Sequence, residues 1–331
     1  MHAIRLHEFG PAENLTYEEL PAPDAGPGQV RIAVRAAGVH LVDTTIRAGL
    51  SGGPFPLPEL PMTPGREVAG VVDQVGEGAE PDLLGARVVG HLGMASGGYA
   101  EAAVIDADAI HPIPEHVSDP EAVAMIGTGR TAMGILEQSD LTADDVVLVT
   151  AAAGGIGSLL VQAARNAGAT VVGVAGGPDK VALVTELGAH VAVDYRRPDW
   201  TEAVRHGLAD LGFEAVTLAF DSVGGDVSRQ VLDLMAPGGR IVVYGWSSGS
   251  DYGELPPAEL DARQVTSRMV LGKPMVERPG GLRGLEDLSL AELEAGRLVP
   301  VVNPPFKLAE AARAHTALVD RDTIGKVVLV P

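Results

Sequence analysis

Hydrophobic positions follow one pattern up to about residue 120 and a different pattern afterwards. In the first part, short runs of branched apolar residues are separated by clusters of Pro and Gly, as in Pro21-Ala22-Pro23. Such runs, bounded by turn residues, predict short strands. The predicted strands cover residues 29–37, 70–75, 87–90, 99–105 and 110–113. This part of the chain is therefore expected to be a β-rich barrel or sandwich.

After a predicted helix over 121–134, apolar runs alternate with segments of helical spacing. Strands are expected to begin at residues 146, 170, 191, 215 and 240, with helices from Ser158 and over 180–187, 200–208 and 227–235. Near-continuous apolar strands separated by helices predict an α/β fold with a parallel, doubly wound sheet.

The last part of the chain, from about residue 266, is too short to fold well alone. It contains predicted helices at 288–295 and 308–318, a strand near Val299 and a final strand at 326–330. We expect it to return to the first domain, which would then comprise residues 1–121 and 266–331 around a second domain of residues 122–265.

One strand–turn–helix unit carries a phosphate-binding pattern. The strand that begins at Val146 ends in Ala151-Ala152-Ala153-Gly154-Gly155-Ile156-Gly157, and a helix is predicted to follow. Gly154 and Gly157 occupy the second and third glycine positions of G-x-G-x-x-G, and Ala152 replaces the first. Small residues let the backbone approach a pyrophosphate, and the helix N-terminus offers it unpaired N–H groups. The unit favours dinucleotide binding over an ordinary tight turn.

Composition excludes several other classes of protein. The formal net charge is −20, which opposes binding to nucleic acid or to an anionic membrane surface, and aromatic residues for base stacking are few. Without cysteine there is neither a disulfide nor a thiolate metal ligand. The N-terminus shows no signal-peptide pattern, and no apolar run approaches the length of a membrane span. We expect a cytoplasmic protein without nucleic-acid or membrane partners.

The chain resembles the medium-chain dehydrogenase/reductase superfamily, in particular its zinc-free NADPH:quinone oxidoreductase branch, which includes zeta-crystallin. Beside the turn that ends at Gly157, the resemblance rests on segments in the same order and spacing: 38–47 (GVHLVDTTIR), 64–72 (PGREVAGVV), 97–101 (GGYAE), 221–225 (DSVGG), 236–240 (APGGR) and 308–315 (LAEAARAH). It implies a GroES-like β-rich domain, an inserted Rossmann domain, and a cofactor in the cleft between them. It also implies a homodimer, formed by edge pairing of two Rossmann sheets through the strand around 268–272.

Zinc is not expected. Zinc-dependent relatives carry a Cys-His pair where this chain has His40-Leu41, and a His-Glu pair where it has Arg66-Glu67. An arginine cannot serve as a zinc ligand, and a catalytic zinc needs three protein ligands. Without that Lewis acid, hydride addition to a conjugated acceptor, whose charge is delocalised, is favoured over alcohol oxidation.

NADPH is favoured over NADH. NAD binders place an acid about 20 residues beyond the glycines to hold the ribose 2′-hydroxyl, whereas here the second strand ends in Ala175-Gly176-Gly177. Lys180 and Tyr195 match the family's residues for the 2′-phosphate, and Arg196 follows Tyr195. Asp179 is the opposing charge. The cofactor contacts implied by the match are Thr131, Ala153, Gly154, Gly155, Ile156, Gly176, Lys180, Tyr195, Ser222, Tyr244, Trp246, Ser247 and Lys326.

The catalytic candidates are His40 and Thr45, where the family often has Asn and Tyr. His40 either donates a proton to the acceptor or is a structural histidine. Asp43 and Arg47 are expected to pair with each other or to fix the loop, and not to react. Three functions stay open: reduction of a quinone, reduction of an enoyl or alkenal substrate, and non-catalytic binding of NADPH. The first is preferred. The loop 48–61 is expected to shape the substrate pocket.

Overall fold

The computed structural model describes residues 1–50, 57–93, 96–249 and 255–331, and residues 51–56 of the expected pocket loop lie outside these ranges. The strands are β1 (His2–Leu6), β2 (Leu15–Glu19), β3 (Gln29–Val39), β4 (Glu67–Val75), β5 (Arg87–His91), β6 (Ala102–Asp106), β7 (Ile110–Pro112), β8 (Val146–Val149), β9 (Thr170–Ala175), β10 (Val191–Asp194), β11 (Val216–Asp221), β12 (Met235–Val243), β13 (Thr266–Met269), β14 (Phe306–Lys307) and β15 (Val327–Val330).

The helices are α1 (Leu41–Arg47), α2 (Asp119–Ala124), α3 (Arg130–Glu137), α4 (Gly155–Asn166), α5 (Pro178–Glu186), α6 (Trp200–Asp210), α7 (Gly225–Leu232), α8 (Pro257–Arg263), α9 (Lys273–Val276), α10 (Gly281–Glu294) and α11 (Ala311–Val319). A π-helical turn, Met125–Gly129, lies between α2 and α3. In the part of the chain that the structure describes, no helix is long and apolar enough to cross a bilayer.

The chain forms two compact units. Unit 1 comprises residues 1–129, 289–294 and 300–331, and unit 2 comprises residues 130–288 and 295–299. The sequence expectation gave residues 266–288 to the first domain. The structure groups them with unit 2, because β13 pairs with β12 in the sheet of that unit.

Unit 1 is built on a sheet in the order β14-β15-β3-β4-β5-β7, with β6 also paired to β3. Strand β3 is its centre. Buried and partly exposed residues alternate along its first half, as expected for a strand with one face in a core, and the second half is buried almost throughout. The last strand of the chain, β15, pairs antiparallel with β3. The end of the chain therefore completes the sheet that its beginning starts.

Unit 2 is a six-stranded parallel sheet in the order β10-β9-β8-β11-β12-β13. Numbered from β8, this is the order 3-2-1-4-5-6 of doubly wound dinucleotide-binding folds. The chain leaves β8 in one direction towards β9 and later returns to its other side as β11. Ligands of such sheets bind at the carboxyl ends of the strands, at this point of reversal.

Two local expectations were wrong. Residues 227–235 are not all helical, because α7 ends at Leu232 and Met235 begins β12, whose Pro237-Gly238-Gly239 segment is accommodated by a shift in the register with β11. No strand forms at Val299, where both backbone groups are bonded to the side-chain amide of Gln162. In the described chain, the nearby bridge joins Val302 to Lys326 instead.

Candidate active site

The turn after β8 presents the N-terminus of α4. Gly154 is the N-cap residue, and among the described residues no side chain caps the helix, so its first N–H groups are available to an anion. A Cβ on Gly157 would lie 2.4 Å from the carbonyl oxygen of Ala151, so only glycine fits there. Ala151 itself has φ of 46°, a left-handed conformation that is uncommon for a residue with a side chain.

A second glycine turn follows β9 and lies beside positive charge. Gly177 has φ of 106°, and a Cβ on it would lie 2.4 Å from Nη2 of Arg196. A Cβ on Gly176 would lie 3.7 Å from the hydroxyl oxygen of Tyr195. The guanidinium and the phenol therefore border this turn, with Lys180 half-buried in the first turn of α5.

Acidic groups also border this second turn. Asp194 forms an exposed ion pair with Arg196, with 3.3 Å between Oδ1 and Nε. Burial alone would raise the pKa of Asp194, but hydrogen bonds from the Arg196 side chain and backbone and from the Gly177 backbone lower it. Arg196 thus approaches the glycine turn while its charge is shared with one carboxylate.

The point of reversal between β8 and β11 is held by a buried carboxylate. Asp221, which is fully buried, accepts a hydrogen bond of 2.8 Å from the Thr150 hydroxyl and a further hydrogen bond from the Ser228 hydroxyl. The backbone N–H of Ser222 donates to the Thr150 hydroxyl at 3.0 Å. These contacts fix the ends of the two strands next to the glycine turn.

The remaining predicted residues of unit 2 differ in accessibility. Tyr244 is 5% exposed, and burial raises its pKa well above the usual range. Its hydroxyl lies 3.5 Å from the Thr150 carbonyl oxygen just after the end of β8. Ala153 is also buried. Trp246 and Ser247 are half-buried after β12, and the Ser247 backbone N–H donates to the Ser222 carbonyl at 2.9 Å.

Most of the predicted cofactor residues of unit 2 therefore follow the carboxyl ends of its parallel strands. Thr131 is the exception, because it lies on α3, which packs against α4.

Unit 1 contains a cluster of three charged or titratable side chains. Glu67, at the start of β4, is fully buried, and its Oε2 lies 2.7 Å from Nζ of Lys326, which is 4% exposed. Its Oε1 lies 2.7 Å from Nε2 of His40, whose side chain is 25% exposed. Nζ of Lys326 also lies 3.0 Å from Nε2 of His40. Thus the structure brings together two of the predicted site residues around a carboxylate that had been assigned no role.

The charges in this cluster compensate each other. Burial alone would raise the pKa of Glu67, but His40 and Lys326 together hold it well below the usual range. Gly127 makes room for the carboxylate, since a Cβ there would overlap Oε1. The chain therefore keeps an ionised carboxylate in the core of unit 1, with only the imidazole reaching the surface.

A buried polar network orients His40. The Asp43 carboxylate accepts hydrogen bonds from the His40 backbone N–H at 2.8 Å and from the Tyr99 hydroxyl at 3.1 Å. The Tyr99 hydroxyl is also 3.2 Å from Nε2 of His315, a fully buried histidine on α11. Burial lowers the pKa of His315 to about 4, so this imidazole is neutral at pH 7. Arg47 is not the partner of Asp43, contrary to expectation.

The hydroxyl of Thr45, the other predicted catalytic residue, makes only a long hydrogen bond within its own helix. It lies half-buried on α1, 3.5 Å from the Leu41 carbonyl oxygen. Arg66 is 8% exposed, beside Glu67. Within the described ranges, no three His, Asp or Glu side chains form a group that could hold a metal ion.

Two residues of these sites were underestimated from the sequence. Glu67 stands before the apolar run Val68-Ala69-Gly70-Val71-Val72, and a charge so placed indicates a buried partner, but its partner Lys326 is remote in sequence. Arg196 was noticed only as the neighbour of Tyr195. The contact of its guanidinium with Gly177 depends on the pairing of β10 with β9, which local pattern does not reveal.

Comparison with known proteins agrees with this architecture. Residues 26–115 match the family described as alcohol dehydrogenase GroES-like domain, and residues 155–277 match the family described as zinc-binding dehydrogenase. The chain is 32% identical to a 2-haloacrylate reductase from a Burkholderia species, over 99% of this chain and 98% of that protein. It is also 32% identical to a quinone oxidoreductase of Pseudomonas aeruginosa, over 99% of both chains.

A solved structure of the same kind is quinone oxidoreductase of Escherichia coli complexed with NADPH. It superposes with a TM-score of 0.86, at 28% identity and with all of both chains covered. The chain belongs to the quinone oxidoreductase branch of the medium-chain dehydrogenase/reductase superfamily, and it is an oxidoreductase with a pyridine-nucleotide-binding domain.

Proposed function

We propose that this protein is an NADPH-dependent reductase that transfers hydride to a quinone or a similar conjugated acceptor without zinc. The observation that carries the proposal is the state of Glu67, whose carboxylate is neutralised by the Lys326 ammonium and by His40. His40 and Glu67 stand at positions where zinc-dependent relatives carry their Cys-His and His-Glu pairs. The quinone oxidoreductase and 2-haloacrylate reductase relatives support an acceptor with a conjugated double bond.

The residues around the two glycine turns fit a phosphorylated dinucleotide. The uncapped N-terminus of α4 suits a pyrophosphate, and the Gly176–Gly177 turn, bordered by Tyr195 and Arg196, suits a 2′-phosphate. Arginine binds phosphate through a planar pair of donors. Neither glycine of the turn is directly followed by an acid in place of the 2′-phosphate, and Arg196 would share its charge between that phosphate and Asp194. When bound, NADPH supplies the hydride for the acceptor. The relative solved with NADPH supports the same choice.

Zinc independence rests on the donor set. The chain has no cysteine, and Arg66 stands where a ligand histidine would be required. Glu67 is already paired, so recruiting it to a metal would leave Lys326 buried without its counter-charge. We infer that the match to the family described as zinc-binding dehydrogenase reflects common ancestry and that this chain does not itself bind zinc.

The acceptor requires little acid–base help from the protein. A quinone that accepts hydride becomes a delocalised aromatic oxyanion, which water can protonate. His40 is the partly exposed member of its cluster. Because its Nε2 lies against Glu67 and Lys326, a hydrogen bond to an acceptor oxygen would require either its other ring nitrogen or release of Nε2 from these partners. Reduction of an enoyl or alkenal substrate is the second candidate, favoured by the 2-haloacrylate reductase relative, and it additionally requires a proton at the α-carbon.

The deciding experiment follows NADPH oxidation by the purified protein with an ortho-quinone and an enal, side by side, in the presence of a metal chelator. Turnover of the quinone with chelator present is the expected result. Turnover that disappears with the chelator and returns with zinc would refute zinc independence. Turnover of the enal alone would establish the second candidate, and tight NADPH binding without any turnover would indicate a non-catalytic role.

A homodimer formed through β13 is also proposed. In the described chain β13 pairs with β12 alone and is the last strand of its sheet, and Met269 on it is 38% exposed. Sedimentation velocity of a Met269→Asp variant, which adds an unpaired charge at that edge, should show dissociation to monomer. A Val270→Pro change would be a poor probe, because the Val270 N–H donates to the Val243 carbonyl within the chain.

A further inference from the structure

Unit 1 contains a small cavity with an apolar wall and two guanidinium groups. Its volume is about 240 Å³. Leu6, Ile46, Leu57 and Met62 provide apolar surface. Arg47 and Arg66 provide positive charge, and Asp43 provides one carboxylate. In a chain with a net charge of −20, two guanidinium groups beside one carboxylate, which already accepts hydrogen bonds from Tyr99 and the His40 backbone, leave this cavity a local excess of positive charge that attracts an anion.

Arg47 has donor capacity that its surroundings leave unused. Its Nε is buried, and among the described residues it has no hydrogen-bond partner. The neighbour four residues earlier on α1, Asp43, is engaged by Tyr99 and by the His40 backbone. Burial lowers the pKa of the Arg47 guanidinium, which nonetheless stays charged at pH 7, and Glu13 acts in the opposite direction. A buried donor of this kind calls for an explanation, and an anion that enters the cavity would supply an acceptor beside it.

We propose that this cavity binds the carboxylate of a small α,β-unsaturated acid, with Arg47 as the residue that recognises it. The inference rests on the proposed reductase function and narrows its substrate class. A guanidinium matches the planar, bidentate geometry of a carboxylate, and the apolar wall suits the unsaturated carbons. The 2-haloacrylate reductase among the relatives is named for a substrate of this chemistry.

The reaction balances without a further reactant. The β-carbon gains a hydride and the electron pair of the double bond moves to the α-carbon, which takes a proton from solvent. NADPH is thereby oxidised to NADP⁺, and the product is the saturated acid. The carboxylate itself is unchanged, so its role is to orient the acceptor.

The test compares 2-chloroacrylate with its uncharged methyl ester and with an uncharged quinone, in the wild type and in Arg47→Gln. In Arg47→Gln the KM for the acid should rise by a factor of about ten to a hundred. This factor should be at least about ten times the factor by which the KM for the ester rises. Arg47→Lys keeps the charge and should recover part of the loss. Arg229→Gln removes an arginine that is 64% exposed in unit 2 and should leave all three substrates unaffected.

Calorimetric titration with 2-chloropropionate, the saturated acid, gives a readout independent of turnover. Binding to the wild type and its loss in Arg47→Gln, with the melting temperature retained, would support the subsite. If the variant does not fold, Arg47→Lys provides the comparison.

Equal KM values for the acid in wild type and variant would overturn the inference, as would a wild type that reduces the ester and the quinone but not the acid. If none of the three compounds is reduced, the proposed function fails, and the titration still decides whether a carboxylate binds at Arg47.

Discussion

Glu67 and Lys326 form an ion pair of 2.7 Å in which both side chains are almost completely withdrawn from water. Removing one partner of such a pair leaves a buried charge without compensation. We expect Lys326→Met to lower the free energy of unfolding by about 3–5 kcal/mol, measured by urea denaturation. The double variant Glu67→Gln/Lys326→Met should lose much less than the sum of the single changes.

A surface lysine provides the control for that prediction. Lys273 is 79% exposed and pairs with Glu277 one helical turn away. Lys273→Met should change the free energy of unfolding by less than about 0.5 kcal/mol. Equal effects of the two lysine substitutions would mean that the pair in unit 1 does not stabilise the fold.

Stability should fall in mild acid because of His315. Its pKa is lowered from 6.5 to about 4 in the folded protein, chiefly by burial, so below pH 6.5 the unfolded chain binds a proton that the folded chain does not. Stability is therefore complete above pH 6.5 and is lost as the pH falls towards 4, by up to about 3 kcal/mol from this residue.

The measurement compares the pH dependence of unfolding in the wild type and in His315→Phe. The variant should lose less stability between pH 6.5 and 4 than the wild type. His206, which is exposed, provides the matched control through His206→Phe. Parallel pH profiles for wild type and His315→Phe would show that His315 does not titrate in this range.

Preference for NADPH should depend on Arg196. We expect Arg196→Ser to raise the KM for NADPH about tenfold, because a phosphate would lose a charge-assisted donor, and to change the KM for NADH little. The neighbouring Arg197 is comparably exposed and, like Arg196, pairs with an aspartate, in its case Asp199 at 2.7 Å, so Arg197→Ser is the matched control. The same loss with both cofactors would place Arg196 away from the 2′-phosphate.

The two glycines of the first turn should tolerate a methyl group unequally. A Cβ on Gly154 would lie 3.2 Å from the Ala151 carbonyl oxygen, but a Cβ on Gly157 would lie 2.4 Å from the same atom. Gly157→Ala should therefore weaken NADPH binding and lower the melting temperature more than Gly154→Ala does. Fluorescence titration with NADPH and thermal unfolding measure both effects, and the reverse order would contradict the role given to Gly157.

The parallel sheet of unit 2 could be predicted because its information is local. Each apolar strand is followed by its own helix, and the glycines after Val149 mark the turn that binds a nucleotide. The site in unit 1 could be predicted only in part. His40 and Lys326 were chosen separately by resemblance, and nothing near either residue indicates that they lie 3.0 Å apart.

The errors have a similar cause. Val299 has the composition of a strand, but the amide of Gln162 takes both of its backbone groups, a contact between segments far apart in sequence. Pairing of Arg47 with Asp43 was one of two expectations for these residues, yet Tyr99, on a different segment, donates a hydrogen bond to that carboxylate. Local pattern predicts which groups need partners, and tertiary structure decides which partners they obtain.

Because unit 1 is built from separate segments of the chain, the two units can complete their folding at different times during synthesis. Strand β3 leaves the ribosome early, but the edge that β15 covers stays open until residues 327–330 have been translated. During the same interval, the carboxylate of Glu67 lacks its ion-pair partner, the ammonium of Lys326. Unit 2, which is encoded largely in between, can complete its sheet first. On the ribosome, the nucleotide-binding half of this enzyme is thus ready before the half that carries His40.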